Sequence, residues 1–344
     1  MAPKILLHGS GAIGTIYVYL LLQAGCSVTA VCRSNYDAAK AHGFTLNSAL
    51  YGQNKHVRPT IVRTPSEAAQ TGPYDYVIVC TKALPEAKTA EVIRPVVTEG
   101  RTTIVLIQNG IGIEEEFAAA FPHAPLLSTV VYLPTTQTSP GHVEMGAFEL
   151  LEVGTFPAAA YVERKGVREA CDEFVSVVKR GGSNVRWYAE IQEQRWSKLL
   201  VNASWNPICA LSLSRDVAFL DSSPAAGKLV KDVMEEVVNV AQALGYRGIT
   251  HALAQKQLER AMQRKGGKGV EPSMLADVLA ERRMEVEVIL GNPIQVAKRV
   301  GVAAPVMETL YALAKALDEA MALRQRGKSL AGDETRVAKG GLPS

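Results

Sequence analysis

Lys198, Asn202 and Asn206 stand at i, i+4 and i+8 in the segment 196–207, a spacing that puts all three on one face of a helix. One ammonium and two amides, flanked by Trp196, Leu199, Leu200, Trp205 and Ile208, are costly to bury unless they meet something polar. A bound oxyacid would be such a partner. The alternative, a solvated helix face, fits poorly with so apolar a margin. Further along, Pro272-Ser273-Met274-Leu275-Ala276-Asp277 precedes Met284-Glu285-Val286-Glu287. Taken alone, Ser273 reads as a helix N-cap and Glu285 as an ordinary helix carboxylate. Lys82 directly follows one apolar run, and Asn109 follows another in Gln108-Asn109-Gly110.

The N-terminal stretch adds a different chemistry. A short apolar run, residues 5–8, leads into Gly9-Ser10-Gly11-Ala12-Ile13-Gly14 and then into an apolar segment over 15–24. Strand, turn and helix follow in that order. The first glycine of such a G-x-G-x-x-G loop permits a tight turn, the second admits a pyrophosphate to the backbone, and the third lets helix and strand pack closely. A second strand, 27–31, ends in Cys32-Arg33-Ser34, where an NAD-binding fold usually sets an acid against the ribose 2′-hydroxyl. No acid comes before Asp37. A guanidinium pairs well with a 2′-phosphate and Ser34 adds a hydroxyl, so Arg33 points to NADP(H) rather than standing as an ordinary surface residue.

The elements that must position these groups alternate. Strands are expected at 74–81 and 103–107, nearly all apolar as parallel strands buried on both faces require, with helices at 38–42 and 86–94 and a hairpin within 43–62. Lys82 and Asn109 then lie at strand C-terminal ends, where open α/β sheets bind ligands. Residues 126–156 look like an antiparallel extension of the same sheet, followed by an amphipathic helix over 165–180 and a last strand at 184–188. After that nearly everything reads as helix: 189–210, 224–244, 250–265, 273–300 and 305–323. The expectation is an α/β Rossmann-type domain with an antiparallel extension over 1–187, an all-α domain over 188–326, and a polar, disordered tail over 327–344.

Composition narrows the function classes. A chain of 344 residues with a formal charge of +3 and scattered basic residues gives no nucleic-acid footprint. No apolar run approaches a membrane span, and the first strand begins too soon for a signal peptide, so a cytoplasmic location is expected. Five cysteines without CxxC pairs read as buried reduced thiols, and six scattered histidines form no metal pattern. The 233–244 segment is the candidate apolar face for a homodimer.

Together, Gly9-x-Gly11-x-x-Gly14, Arg33, Lys82, Gln108-Asn109-Gly110, Lys198-x-x-x-Asn202-x-x-x-Asn206-Pro207, Ser273-Met274-Leu275-x-Asp277 and Glu285 resemble, in order and spacing, the ketopantoate reductases over about residues 4–320. The resemblance implies NADPH-dependent reduction of 2-dehydropantoate, a small anionic 2-oxo acid, to pantoate in a cleft between the two domains. It implies that Lys198 donates the proton and Glu285 holds lysine and substrate. Asn109 would position substrate and cofactor, and Asn202, Asn206 and Ser273 would bind the substrate. Gly9, Ser10, Gly11, Ala12, Ile13, Gly14, Arg33, Lys82 and Asn109 would hold the cofactor. One departure stands out. A straight helix would put Ser273 and Glu285 about 18 Å apart, so a break is needed, yet Ala280-Glu281-Arg282-Arg283-Met284 lacks the Gly or Pro often found there in the family. A reductase of another oxo acid on the same fold, or a non-catalytic NADP(H) sensor, are the competing readings. A sensor needs neither Lys198 nor Glu285, and turnover with NADPH separates it from either enzyme.

Overall fold

The computed structural model describes residues 2–325, and the expected tail at 327–344 lies outside them. The chain forms two compact units, one ending at Arg195 and the other beginning at Trp196.

The first unit holds twelve strands: β1 (Lys4–His8), β2 (Ser27–Val31), β3 (Phe44–Ser48), β4 (Gly52–Val57), β5 (Thr60–Val62), β6 (Tyr76–Val79), β7 (Thr103–Leu106), β8 (Leu126–Tyr132), β9 (Thr135–Ser139), β10 (His142–Met145), β11 (Leu150–Thr155) and β12 (Val185–Trp187). Its helices are α1 (Ala12–Gln23), α2 (Tyr36–His42), α3 (Pro65–Ala69), α4 (Thr89–Ile93), α5 (Glu115–Ala120), α6 (Ala160–Glu163) and α7 (Lys165–Arg180). Eight strands form one sheet in the order β5-β2-β1-β6-β7-β8-β11-β12. Every pair in it is parallel except β8 with β11. From β1 the chain first builds outward through β2 to β5, then returns to the other side of β1 with β6. The glycine loop therefore leaves the sheet at its topological switch point, where such folds bind ligands.

Residues 126–156 do not extend that sheet as one piece. β8 and β11 join it, whereas β9 and β10 pair with β3 and β4 in a separate sheet ordered β4-β3-β10-β9. The reason is two-faced patterning. β3 and β10 bury alternate residues, Phe44 and Leu46 facing inward with Val143 and Met145, and these join the core around α1. Covered in this way, α1 is apolar nearly all round, with Ile16, Tyr17, Val18, Leu20 and Leu21 fully buried. α7 shows the opposite pattern, one stripe of Val167, Cys171, Phe174, Val177 and Val178 with charges elsewhere. It stops at Gly181, where a Cβ would stand 2.1 Å from the Leu20 carbonyl oxygen. The helix expected over 86–94 is also corrected. Lys88 takes the left-handed conformation (φ 44°), leaving a 3-10 turn over Pro85–Ala87 ahead of the short α4.

A long helix, α8 (Ile191–Ser212), leads into the second unit, which continues with α9 (Asp216–Ser222), α10 (Ala226–Ala243), α11 (His251–Met262), α12 (Ser273–Leu279), a π-helical turn (Glu287–Gly291), α13 (Asn292–Arg299) and α14 (Pro305–Gln325). α10 forms its axis: Val233, Met234, Val237, Val238, Val240 and Ala241 are wholly inaccessible. Most of the apolar residues of the 233–244 segment, expected as a face for a second copy, are thus covered within the unit, while Leu244 at its end is 37% exposed. Buried Glu236 on α10 accepts from the Val306 and Met307 amides at 2.9 and 2.8 Å, satisfying orphan donors at the start of α14. All five cysteines are free, four of them buried. Among the described residues no helix is long and apolar enough to cross a membrane, and no group of His, Cys, Asp and Glu could hold a metal.

The helix expected over 273–300 is broken. Glu281 sits at φ 51°, the Arg282 amide donates to the Asp277 carbonyl at 2.8 Å, and the Glu281 amide donates to the Val278 carbonyl at 3.0 Å. That pair of bonds is a Schellman ending built on a glutamate instead of a glycine. The chain then runs without regular structure as far as Glu285.

Candidate functional site

The glycine loop meets the three demands that its spacing sets. Gly9 has φ 104°, and a Cβ there would stand 2.6 Å from the Thr81 amide nitrogen, so the loop passes closely over the end of β6. A Cβ at Gly14 would stand 2.1 Å from the Gly9 carbonyl oxygen. At Gly11 it would meet nothing within 4 Å. The first and third glycines serve the protein's own packing, while the second leaves room beside the start of α1. That N-terminus carries no side-chain cap and no acidic residue in its first turn. Its amides and dipole therefore present a site for an anion, and the residues present fit a dinucleotide pyrophosphate.

The loop is fixed from outside by residues the motif does not include. Asn35, buried just beyond β2, donates to the Ser10 carbonyl at 2.8 Å, and it exchanges amide hydrogen bonds with Gln137 of β9 at 2.9 and 2.8 Å. Arg33 and Ser34 are exposed at the end of the same strand, free of the packing that holds Asn35. The carboxylate of Asp37 is engaged with Arg63 at 2.7 Å, and the Arg63 guanidinium lies over the Tyr36 ring. Behind the loop, burial first and the Arg33 charge second lower the His8 imidazole to about 4, so it stands neutral near pH 7. Its Nδ1 is buried with no hydrogen-bond partner, as is the Thr81 hydroxyl.

Half-buried Lys82 and Asn109 follow β6 and β7, at the carboxyl edge of the sheet. Next to Asn109, the Gln108 side chain donates from Nε2 to the Thr81 carbonyl at 2.8 Å, and Gly110 turns with φ 95°. A cation absent from the sequence reading dominates this corner. Arg195, near the start of α8, donates from Nη1 to the Gln108 and Gly110 carbonyls, both at 3.0 Å, and from Nη2 to the Thr129 carbonyl at 3.0 Å. Its Nε lies 2.7 Å from Glu114 Oε1 and 2.7 Å from the Ser128 hydroxyl. Both partners of the ion pair are almost wholly inaccessible.

In the second unit, Lys198 and Asn202 are half-buried and Asn206 is buried, all on α8. Asn206 Oδ1 accepts from the Ser273 hydroxyl at 3.3 Å and lies 3.5 Å from the Met274 amide. Ser273 is therefore the first residue of α12 and not its cap: Pro272 occupies that position, and the side chain offered to the helix start is Asn206 from α8. Two residues expected near the substrate thus meet directly. Glu285 is buried after the break at Glu281. Asp318 of α14, 2% exposed, holds the approach to it, accepting from the Met284 amide at 2.7 Å and from Arg283 Nε at 2.8 Å. Neither Arg195 nor Asp318 carries a sequence signal beyond a charge on a helix that is otherwise half apolar.

Comparison with known proteins gives a consistent result. The family model described as ketopantoate reductase PanE/ApbA matches residues 5–158, and that for the ketopantoate reductase C-terminal region matches residues 190–318. An uncharacterized protein of Saccharomyces cerevisiae is 30% identical over 336 residues, covering 90% of this chain and 92% of its own. A 2-dehydropantoate 2-reductase of Nostoc is 26% identical, covering 92% of this chain and 95% of its own. The crystal structure of 2-dehydropantoate 2-reductase from Methylococcus capsulatus superposes with a TM-score of 0.78 at 32% identity, covering 92% of this chain and 97% of that one.

Proposed function

The chain belongs to the ketopantoate reductase family and is an NADP-dependent oxidoreductase, and we propose that it reduces 2-dehydropantoate to pantoate, with Lys198 as proton donor. That reaction would serve pantothenate and coenzyme A biosynthesis. The observation that carries the reading is the meeting of Asn206 and Ser273, which draws the polar stripe of α8 and the start of α12 together. Since Asn206 Oδ1 already accepts from Ser273, its amide hydrogens are what it offers a substrate carboxylate or hydroxyl. The relatives named 2-dehydropantoate 2-reductase lend the substrate its support.

NADPH, when bound, supplies a hydride to the ketone carbon. The amides at the start of α1 would hold the pyrophosphate, Arg33 would pair with the 2′-phosphate, and Lys82 would contribute to holding the cofactor. Lys198 gives its proton to the carbonyl oxygen, so no free alkoxide accumulates, and its charge stabilises the oxygen as electrons move onto it. Glu285 orients the lysine and the substrate. Asn109 aligns substrate with cofactor, and Asn202, Asn206 and Ser273 bind the acid's carboxylate and hydroxyl.

The test is NADPH oxidation by purified protein with ketopantoate beside a panel of other 2-oxo acids, repeated with Lys198→Ala. Ketopantoate should be the preferred substrate, and the variant should lose about 10²–10⁴ in kcat with NADPH still bound. Preference for another oxo acid would overturn the substrate while leaving the reductase standing. Full activity in the variant would remove Lys198 as donor.

A further inference from the structure

We propose that Arg195, held by Glu114, is the positioning residue for Asn109. The proposal rests on the reading of Asn109 as a cofactor and substrate contact. A single nitrogen of Arg195, Nη1, donates to the carbonyls on both sides of Asn109, those of Gln108 and Gly110, each at 3.0 Å. Two carbonyl directions are fixed by one planar group: the 108–109 peptide that enters Asn109 and the 110–111 peptide that follows Gly110 are held to the same nitrogen, which limits how the Asn109–Gly110 segment between them can turn. Gly110, at φ 95°, turns the chain sharply enough for its carbonyl to face the same nitrogen as that of Gln108. The guanidinium is in turn held in its plane by Glu114 and Ser128 at Nε and by the Thr129 carbonyl at Nη2. Ser128 and Gln192 brace the same Glu114 oxygen at 2.5 and 2.8 Å.

Stability alone does not call for this arrangement. A buried ion pair recovers its desolvation cost only with good geometry, and well-packed apolar side chains of similar volume commonly do as well. What apolar residues cannot do is aim two backbone carbonyls. The loop after β7 begins where the ladder hydrogen bonds end, so its carbonyls take their partners from elsewhere. Arg195 adds its two carbonyl bonds to the one that the Gln108 side chain makes with the Thr81 carbonyl, and it does so from α8.

Four proteins test the proposal: the unaltered chain, Arg195→Lys, Asn109→Ala and the double variant. Lysine keeps the charge beside Glu114 but cannot fork to two carbonyls while holding Ser128 and Thr129. NADPH affinity is read by fluorescence titration, with melting temperature and turnover of the preferred oxo acid alongside. Arg195→Lys should weaken NADPH binding about tenfold in the unaltered chain and less than about twofold in the Asn109→Ala background, while lowering the melting temperature equally in both. The same loss of affinity in both backgrounds, or none in either, overturns the clamp. If Asn109→Ala by itself changes neither affinity nor turnover, the reading of Asn109 falls, and the clamp with it.

Discussion

Replacing Glu281 by glycine should make the protein more stable. Glu281 holds the left-handed conformation at φ 51° on the exposed end of α12, and the two Schellman hydrogen bonds made by the Glu281 and Arg282 amides depend on that conformation and not on the side chain. A non-glycine residue spends about 1–2 kcal/mol there. Glycine removes that strain but gains about 0.5–1 kcal/mol of chain entropy in the unfolded state. The net expectation is a stabilisation of about 0.5–1 kcal/mol, or roughly 1–4 °C in melting temperature for a unit of this size. Glu281→Val should go the other way by more than about 1 kcal/mol, because a β-branched side chain tolerates this region least. The activity of the two variants should also part. Glycine keeps the break and so leaves kcat/KM within about twofold, whereas valine favours continuing the helix, which would carry Glu285 away from its buried place. Thermal unfolding followed by circular dichroism, with NADPH turnover on the same samples, reads both effects. A glycine variant that is less stable than the parent, or a valine variant as stable and as active, would refute the assignment of the break to residue 281.

Further outcomes follow from the glycine loop and the histidine behind it. Gly11→Ala should leave the melting temperature unchanged while NADPH affinity falls at least about tenfold, because the added Cβ meets no protein atom and occupies the space kept beside the helix N-terminus; Gly14→Ala should destabilise the fold itself, since its Cβ would stand 2.1 Å from the Gly9 carbonyl oxygen. Parallel melts and titrations distinguish them, and an equal effect of both on stability would count against a cofactor role for Gly11. His8 makes stability pH-dependent. Its folded value of about 4 lies below the ordinary 6.5, so the unfolded chain takes up the proton first. The stability it contributes is complete above pH 6.5, is lost as the pH falls, and levels out below about 4; by pH 5 the loss is about 2 kcal/mol. Urea unfolding at pH 7 and pH 5 should show that difference in the parent and a smaller one in His8→Asn, which does not titrate.

Where the sequence was readable, its signal was local. The parallel strands 76–79 and 103–106 are short runs of β-branched, aliphatic and aromatic residues, Tyr-Val-Ile-Val and Thr-Ile-Val-Leu, and α7 carries its apolar stripe at helical spacing with Gly181 at its end, so the residues that form these elements also announce them. Where it misled, the deciding partner was remote. β9 and β10 read as extended from their own residues, but only the apolar face of β3, far back in the chain, decides which sheet they join. The short α9 has no apolar run long enough to announce it. Its Asp216 takes the Val270 amide at 2.7 Å, a contact that no local pattern encodes.

The same division runs through the candidate site. Lys198, Asn202 and Asn206 could be singled out because polar residues at helical spacing in an apolar stretch require an explanation, and the glycines because each position of the loop has its own steric demand. The residues that hold such groups in place are invisible by the same logic. Glu114 is followed by two further glutamates, Glu115 and Glu116, and nothing in Glu114-Glu115-Glu116 tells which one is buried; only the fold, by bringing Arg195 and Ser128 to the first, makes it inaccessible and leaves the others exposed. The break before Glu285 is hidden for a related reason. Glycine marks a Schellman ending because it adopts the left-handed conformation without cost, so an ending built on glutamate leaves no mark, and its cost is met by contacts made elsewhere: Arg282 to Asp277, and Arg283 and Met284 to Asp318. Groups that face a ligand are constrained by their own chemistry and so show in the sequence. Groups that aim them are constrained by three-dimensional neighbours, and a charge on one more helix is all that a sequence can record of them.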